Sequence, residues 1–353
     1  MKVACAGGGT LGSVTPLLAV IEELRLAGVT KVDWFGTADG PERELVIEAN
    51  CAYHVLPAGK FRRYLSVRNI TDILRIMVSF FKAFSWFKHN KVDALLTAGS
   101  FIAVPVGWAA WFAGVPVFIH QQDIRPGLAN KLLSPVARRI TLSLEKSEKD
   151  FPLNKAVVTG NPVRRVFYEP VSQSDARVHF KLSVDLPTIV VLGGGTGAKF
   201  LNDLVVSCLP ELTNFSQIVH FTGKNRGSAF KASSRYLPFE FSTETPLAFM
   251  AADIVITRAG MGTITELATL KRAAIVVPIP GTHQEDNAQL LDSAGAAIVL
   301  SQTVLTTEVL LGTVRQLLND IPTRIKLGNT LSKLLLPDAA QSVARIVRET
   351  IEH

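Results

Sequence analysis

Short apolar runs recur along the whole chain and alternate with segments of helical pattern. The runs are continuously apolar, which is typical of strands buried on both faces of a parallel sheet. Helices between such strands predict an α/β, doubly wound fold. The predicted strands are Val3–Ala6, Val32–Phe35, Ala94–Thr97, Val115–Ile119, Ile140–Leu144, Ala156–Thr159, Thr188–Leu192, Gln217–Phe221, Ile254–Thr257, Ala274–Ile279 and Ala297–Leu300.

A weak internal repeat predicts two domains. Strands that end at Ala6 and Leu192 each run into a glycine-rich turn and then a helix, as at the first crossover of a nucleotide-binding half. Between them, Pro162 biases Asn161 to an extended conformation and prevents a helix from continuing. We therefore expect domains at residues 1–162 and 163–336, joined near residues 160–187. A final helix follows Pro337, and the pattern leaves open which domain it packs on.

The segment from Ile254 to Asn287 is the most informative part of the sequence. It reads as strand, glycine turn, helix, strand and polar loop, the layout in which a helix N-terminus meets a phosphate. Glu266, about one turn into the helix, is placed to accept hydrogen bonds from ribose hydroxyls. Gln284 and Asn287, expected in the following loop, add amides for sugar hydroxyls. The segment predicts a nucleotide-sugar site.

Composition narrows the class of protein. At 353 residues, with 48% hydrophobic and 19% charged residues, the chain is globular and long enough for two domains. The net charge of +7 permits anionic partners, but no basic block with interleaved aromatic residues favours nucleic acid. Three dispersed cysteines without a CxxC pair argue against structural zinc and for a reducing compartment. No apolar run reaches membrane-spanning length, and the N-terminus does not resemble a secretory signal.

Several polar residues are candidates for chemistry, each with an ordinary structural alternative. Asp123 is either a general base or the start of a loop, and His120 is either a site residue or a strand cap. Arg164 either neutralises a diphosphate or is a surface cation near the linker. The first glycine loop does not have GxGxxG spacing, and Asp39 is only a loose candidate for a ribose partner. A bound NAD is therefore the less favoured interpretation.

One helical tract is unusually apolar for a surface. Large apolar side chains recur at helical spacing between Ile70 and Phe87, bordered by Arg68, Arg75, Lys82 and Lys88. This arrangement suits an interfacial helix on an anionic lipid surface, although an amphipathic core helix has the same periodicity. The predicted membrane-contacting residues are Ile73, Leu74, Met77, Phe80, Phe81, Lys82 and Trp86.

Seven short motifs, in order along nearly the whole chain, resemble those of the MurG family. This family comprises the glycosyltransferases that add N-acetylglucosamine to lipid I in peptidoglycan synthesis. The motifs are GGT-x-G at 8–12 with Pro16, GTAD at 36–39 with Glu42, HQQD at 120–123, GNPVR at 160–164, GG-x-x-GA at 193–198, AGMGTITE at 259–266 and HQEDNA at 283–288.

The resemblance implies a GT-B glycosyltransferase fold, with two Rossmann-like domains facing a cleft and a final helix, about residues 337–353, packing back on the first domain. It implies an inverting enzyme that uses UDP-N-acetylglucosamine and lipid I, needs no cofactor or metal, and is peripheral on the cytoplasmic side of the bacterial membrane. Anionic phospholipid and other cell-wall synthesis enzymes are the further partners it implies. The donor-binding residues would be Thr10, Leu11, Gly12, Asp123, Arg164, Gly193, Gly194, Gly195, Thr196, Gly197, Met261, Gly262, Thr263, Ile264, Thr265, Glu266, Gln284 and Asn287.

The sequence departs from the family at the expected acceptor side. Where the family loop carries a histidine this chain has Ser13, which is a poor base at neutral pH. Asp123 is therefore the first candidate for the base, followed by His120 and Glu42. Two other functions remain open: a GT-B enzyme with another lipid acceptor, such as diacylglycerol, and a non-catalytic or NAD-binding Rossmann protein.

Overall fold

The computed structural model describes residues 1–57, 59, 68–169, 171–194, 198–223, 230–240 and 242–352. The chain divides into two compact units. Unit 1 comprises Met1–Arg164 and Leu336–His353, and unit 2 comprises Arg165–Leu335. No helix within the described ranges combines the length and the apolar character that crossing a membrane requires.

Unit 1 is built on a parallel sheet whose described strands lie in the order β3-β2-β1-β4-β5-β6-β7. The strands are β1 (Lys2–Ala6), β2 (Lys31–Gly36), β3 (Ala52–Val55), β4 (Ala94–Thr97), β5 (Val117–Gln121), β6 (Ala137–Leu142) and β7 (Ala156–Val158). Its helices are α1 (Thr15–Leu26), α2 (Glu42–Glu48), α3 (Arg68–His89), α4 (Ala103–Phe112), α5 (Leu128–Leu133) and, from the chain end, α13 (Ala339–Glu352). The last of these packs against α1 through an alanine- and valine-rich face.

Unit 2 repeats the same design around a second parallel sheet, with described strands in the order β10-β9-β8-β11-β12-β13. The strands are β8 (Thr188–Leu192), β9 (Gln217–Phe221), β10 (Tyr236–Phe239), β11 (Ile254–Thr257), β12 (Ala273–Val276) and β13 (Ile298–Val299). The helices are α6 (Gln173–His179), α7 (Lys199–Phe215), α8 (Thr245–Ala251), α9 (Met261–Thr269), α10 (Gln284–Ser293), α11 (Thr307–Asn319) and α12 (Ile321–Lys333).

Each of the predicted strands overlaps a strand of the structure, and the predicted α/β class is confirmed. Two edge strands, β3 and β10, were not predicted. Their residues are largely half-buried or exposed, so they lack the continuous apolar run that marks a strand covered on both faces. The strand predicted over Ala274–Ile279 already ends at Val276, shortly before Pro278, which has no N–H for the ladder.

A buried histidine ties the carboxyl ends of β5 and β6 to the segment after β7. The His120 ring is buried, with Nε2 2.9 Å from Oδ1 of Asn161 and Nδ1 2.9 Å from Oγ1 of Thr141. Because the amide oxygen only accepts, Nε2 donates to it and the Thr141 hydroxyl donates to Nδ1. This pairing suits a neutral ring, and burial lowers the His120 pKa from 6.5 to about 4.

This shift predicts a pH-dependent stability of unit 1. Below pH 6.5 His120 is protonated in the unfolded chain, whereas in the folded chain its ring stays neutral until about pH 4. The free energy of unfolding therefore falls as the pH falls through this window. The loss over the whole window is about 3 kcal/mol, at about 1.4 kcal/mol per pKa unit. Urea unfolding followed by tryptophan fluorescence measures it, because Trp34, Trp86, Trp108 and Trp111 all belong to unit 1.

The matched variants are His120→Gln and, as a control, His89→Gln at the exposed end of α3. The first should flatten the dependence of unfolding free energy on pH between 7 and 5, and the second should leave it as in the wild type. An unchanged slope in His120→Gln would contradict the assignment.

Candidate functional site

The strand order of unit 2 reverses between β8 and β11, which are neighbours in the sheet. The chain leaves β8 toward β9 on one side and leaves β11 toward β12 on the other. Such a reversal opens a crevice at the carboxyl ends of the two strands, where ligands of open α/β sheets bind. Gly193 and Gly194 follow β8 at this edge, and Arg258 to Gly260 follow β11.

The N-terminus of α9 lies at this crevice. Its N-cap residue, Gly260, has an extended backbone and offers no side chain to cap the helix. The N–H groups of the first turn therefore have no helical acceptor and are available to an anion, whose charge the helix dipole also favours. Gly262 and Thr263 are partly exposed at this end, whereas Ile264 belongs to the buried core.

Met261, Ile264 and Thr265, the buried members of the predicted run Met261–Thr265, expose little of their side chains. Thr265 is buried, and its hydroxyl donates to the carbonyl of Met261 at 2.7 Å, within the helix. Glu266 is buried in the second turn of α9. At a rise of about 1.5 Å per residue, its Cα lies roughly 7 Å beyond the first residue of the helix, a separation that a ribose with its attached phosphate can span.

The turn after β8 requires glycine. A Cβ atom on Gly193 would lie 2.7 Å from the backbone nitrogen of Ala198, and Gly194 has a φ of +94°. A side chain at either position would clash or strain the backbone, so the chain can approach a ligand closely here. Gly195, Thr196 and Gly197, which the sequence also predicts to bind the donor, lie outside the described residues.

The predicted loop placement of Gln284 and Asn287 is wrong, because both residues lie in the first turns of α10. Gln284 is half-buried, and its side-chain oxygen accepts a hydrogen bond from the Ile279 N–H at 3.2 Å. Asn287 is completely buried, and its amide donates to the carbonyl of Ala259 at 2.9 Å. Asn287 therefore helps to shape the turn before α9, and its direct contact with the sugar stays a prediction.

Arg258 was missed by the sequence analysis. It lies at the carboxyl end of β11, is only 6% exposed, and donates from Nη1 to the carbonyl of Val277 at 2.9 Å. Burial lowers the pKa of its guanidinium. This contact ties the turn before α9 to the end of β12, and the bond from Asn287 to Ala259 ties the same turn to α10. The signal in the sequence was a cation directly after an apolar strand, at the end where ligands bind.

The sheet of unit 1 has its own reversal point, between β1 and β4. The glycine loop after β1 lies there, with Thr10 and Gly12 exposed and Leu11 partly exposed. Ser13, which stands at the family's histidine position, is nearly buried, and its hydroxyl lies 3.4 Å from the carbonyl of Thr10. The side-chain amide of Gln122 donates to the carbonyl of Gly12. Two motifs that are far apart in the sequence therefore meet at this edge.

Glu42 and His120 do not have the surroundings of a general base. The fully buried Glu42 carboxylate accepts hydrogen bonds from the N–H of Gly9 at 3.1 Å and of Thr37 at 2.9 Å, and from the Tyr53 hydroxyl at 3.1 Å. Burial and this carboxylate raise the Tyr53 pKa. Glu42 therefore anchors the glycine loop, and His120 is buried with both ring nitrogens in hydrogen bonds.

Asp123 has the most accessible side chain of the three base candidates. It is partly exposed just beyond the carboxyl end of β5, and its backbone carbonyl accepts a hydrogen bond from the Gln121 side chain at 2.7 Å. Arg164, also partly exposed, is the last residue of the first segment of unit 1.

The predicted membrane-contacting tract divides into two groups. Phe80 and Trp86 are partly buried and pack on the core of unit 1, and their contact with lipid stays a prediction. Trp86 packs edge-on against Phe35 at 5.0 Å. The exposed members are Ile73, Leu74, Met77, Phe81 and Lys82, and two exposed aromatic residues of α4 that the sequence analysis missed, Trp111 and Phe112, extend the same surface.

Comparisons with known proteins agree with this geometry. Residues 3–142 match the glycosyltransferase family 28 N-terminal domain, and residues 188–343 match the family's C-terminal domain. A relative from Clostridium kluyveri is 33% identical over 354 residues, covering 99% of both chains. It is named UDP-N-acetylglucosamine–N-acetylmuramyl-(pentapeptide) pyrophosphoryl-undecaprenol N-acetylglucosamine transferase.

Solved structures confirm the predicted GT-B fold class. MurG of Acinetobacter baumannii is 29% identical over 99% of both chains, with a TM-score of 0.70. The UDP-GlcNAc 2-epimerase of Neisseria meningitidis has a TM-score of 0.72 over the full length of both chains but only 14% identity, and so shares the fold alone. On its domain matches and its full-length relatives, this chain belongs to glycosyltransferase family 28, as a member similar to MurG.

Proposed function

We propose that this protein transfers N-acetylglucosamine from UDP-N-acetylglucosamine to the 4-hydroxyl of lipid I, giving lipid II and UDP. The observation that carries the proposal is the crevice of unit 2. There, an uncapped helix N-terminus, an obligatory glycine turn and a buried glutamate lie together at the reversal point of a parallel sheet. The named function of the full-length relative supplies the sugar and the acceptor.

Different groups of the chain bind the different parts of the sugar donor, UDP-N-acetylglucosamine. The first-turn N–H groups of α9 and the glycine turn after β8 bind the diphosphate, and Glu266 accepts from the ribose hydroxyls. Gln284, at the start of α10, contacts the sugar. As the bond between C1 and the diphosphate breaks, negative charge grows on the leaving oxygen, and the helix dipole and Arg164 stabilise it. The proposal includes no cofactor, because these groups supply the positive charge.

The attack inverts the configuration at C1. The acceptor's 4-hydroxyl oxygen forms the new bond to C1 while the bond to UDP breaks on the opposite face. The hydroxyl proton passes to a carboxylate, and we assign this base to Asp123, the partly exposed candidate at the carboxyl edge of unit 1. Thr10 to Gly12, exposed at the same edge, approach a phosphate of the acceptor or the donor.

The lipid acceptor requires contact with a membrane. We assign this contact to the exposed apolar surface of α3 and α4, with Lys82 beside it. Phe81 is 60% exposed and Leu74 57% exposed, far more than core packing of an amphipathic helix would leave. We place the protein, on this basis, at the cytoplasmic face of an anionic membrane, where other cell-wall enzymes act on the same lipid.

A UDP-release assay over a small panel of donors and acceptors tests the function. UDP-N-acetylglucosamine with a lipid I analogue should release UDP at a rate well above hydrolysis, and the product should carry a new β-linked sugar. Replacement of lipid I by diacylglycerol should abolish release. Turnover with diacylglycerol alone would identify a different GT-B enzyme, and no turnover with any pair would favour a non-catalytic protein.

Substitution of Asp123 by asparagine tests the base. Because the amide cannot accept the proton, turnover should fall by about 100-fold or more, in line with the usual contribution of general base catalysis. The increase in melting temperature caused by UDP should stay nearly the same, because the helix N-terminus and the glycine turn proposed to bind the diphosphate belong to unit 2. Asp150→Asn, at an exposed position of unit 1, is the matched control. Full activity of Asp123→Asn would remove this residue from the mechanism.

A further inference from the structure

Unit 2 contains a buried histidine that none of the proposed donor contacts uses. His220, in β9, is completely buried, with Nε2 3.1 Å from Oδ1 of Asn202 and Nδ1 3.0 Å from the Tyr236 hydroxyl. Because the amide oxygen only accepts, Nε2 carries the ring proton and donates to Asn202, and the Tyr236 hydroxyl donates to Nδ1. Burial lowers the His220 pKa from 6.5 to about 4, so the ring is neutral and keeps this one N–H at neutral pH.

The hydrogen bond from His220 selects one orientation of the Asn202 amide. With its oxygen toward the histidine, Asn202 donates from Nδ2 to the carbonyl of Thr222 at 2.8 Å. The reverse orientation would place amide N–H groups against the ring N–H and the amide oxygen against the Thr222 carbonyl, which are two repulsive contacts between buried groups. The neutral histidine therefore fixes a link between α7, which contains Asn202, and the chain directly after β9.

This link lies beside the glycine turn that follows β8. Asn202 is in the first turn of α7, where its N–H donates to the carbonyl of Ala198 at 2.9 Å. A Cβ atom on Gly193 would lie 2.7 Å from the backbone nitrogen of Ala198, so the glycine turn and the start of α7 are in close backbone contact. Because β8 and β9 are neighbours in the sheet, the link and the turn share its carboxyl edge. A displacement of the start of α7 would therefore displace the glycine turn.

We propose that His220 is a positioning residue for the nucleoside diphosphate: through Asn202 it holds the start of α7, and with it the glycine turn, where backbone N–H groups bind the diphosphate. The inference rests on the proposed donor site and adds to it a residue that acts through a neighbour. Backbone dipoles stabilise charge only when they are preorganised, and a displacement of about 1 Å is enough to weaken them. The bond to Tyr236 connects the ring instead to β10, the outermost described strand of this sheet.

Two substitutions of His220 separate its two hydrogen bonds. A glutamine amide reaches about as far as Nε2 and can donate to Asn202, whereas the shorter asparagine amide reaches only as far as Nδ1 and can bond to Tyr236. Both variants keep a polar amide in the same buried place and lose one hydrogen bond, so both should lower the melting temperature by similar amounts. Only the loss of the bond to Asn202 should weaken the binding of UDP.

The test is calorimetric titration of the full-length protein and its variants with UDP. His220→Asn should weaken UDP binding about tenfold, as expected for one lost buried hydrogen bond, and should raise the KM for UDP-N-acetylglucosamine without changing that for the acceptor. His220→Gln and Tyr236→Phe should bind UDP as the wild type does, despite their lower melting temperatures. Asn202→Ser breaks the same link from the other side and should also weaken binding. The double variant with His220→Asn should bind no more weakly than the weaker single variant, because both changes remove one link.

Three results would contradict the inference. Equal losses of UDP affinity in His220→Asn and His220→Gln would reduce His220 to a core residue that contributes stability alone. Additive losses in the double variant would show that His220 and Asn202 act separately. Wild-type UDP affinity in Asn202→Ser would contradict the link even if His220→Asn did not fold. A wild type that binds UDP but transfers no N-acetylglucosamine to a lipid I analogue would contradict the proposed function alone, because these comparisons need no acceptor.

Discussion

The crevice of unit 2 depends on a pair of hydrogen bonds at the carboxyl edge of its sheet. Arg258, at the end of β11, donates to the carbonyl of Val277 after β12, and Asn287 of α10 donates back to the carbonyl of Ala259. Because the backbone of both turns is fixed by buried side chains, the N-terminus of α9 and the start of α10 are positioned relative to each other before any ligand arrives. Such preorganisation lets N–H dipoles stabilise charge without rearrangement during the reaction. Loss of Arg258 would leave buried carbonyls without a donor, at about 1–3 kcal/mol for each.

In unit 1 a buried carboxylate fixes the backbone of a loop in the same way. Glu42 holds the glycine loop through the N–H of Gly9, and Gln122 holds the far end of that loop through the carbonyl of Gly12. Glu42 and Gln122 both lie in motifs that suggested a role in catalysis, but their side chains shape a loop. Of the three residues considered as the base, Asp123 is the one that is partly exposed, which is why the proposed mechanism assigns the proton transfer to it.

The sequence predicted the features that arise from local pattern. Apolar runs and glycine turns located the strands around both crevices, and the apolar stripe of α3 located the surface with Phe81. Features that arise from tertiary contacts could not be predicted from the sequence. Donors to Glu42 come from residues 9, 37 and 53, which only the folded sheet brings together. Asn287 follows a polar stretch that reads equally well as a loop or as a helix start, and Trp111 belongs to a helix apolar enough to be taken as core.

Hydrogen exchange with and without UDP is the most direct test of the central claim, that the crevice of unit 2 is the uridine nucleotide site. UDP should slow exchange at the backbone N–H groups of Met261, Gly262 and Thr263 and in the turn after β8. Protection confined to residues 7–13 of unit 1, or no protection in the presence of saturating UDP, would contradict the account.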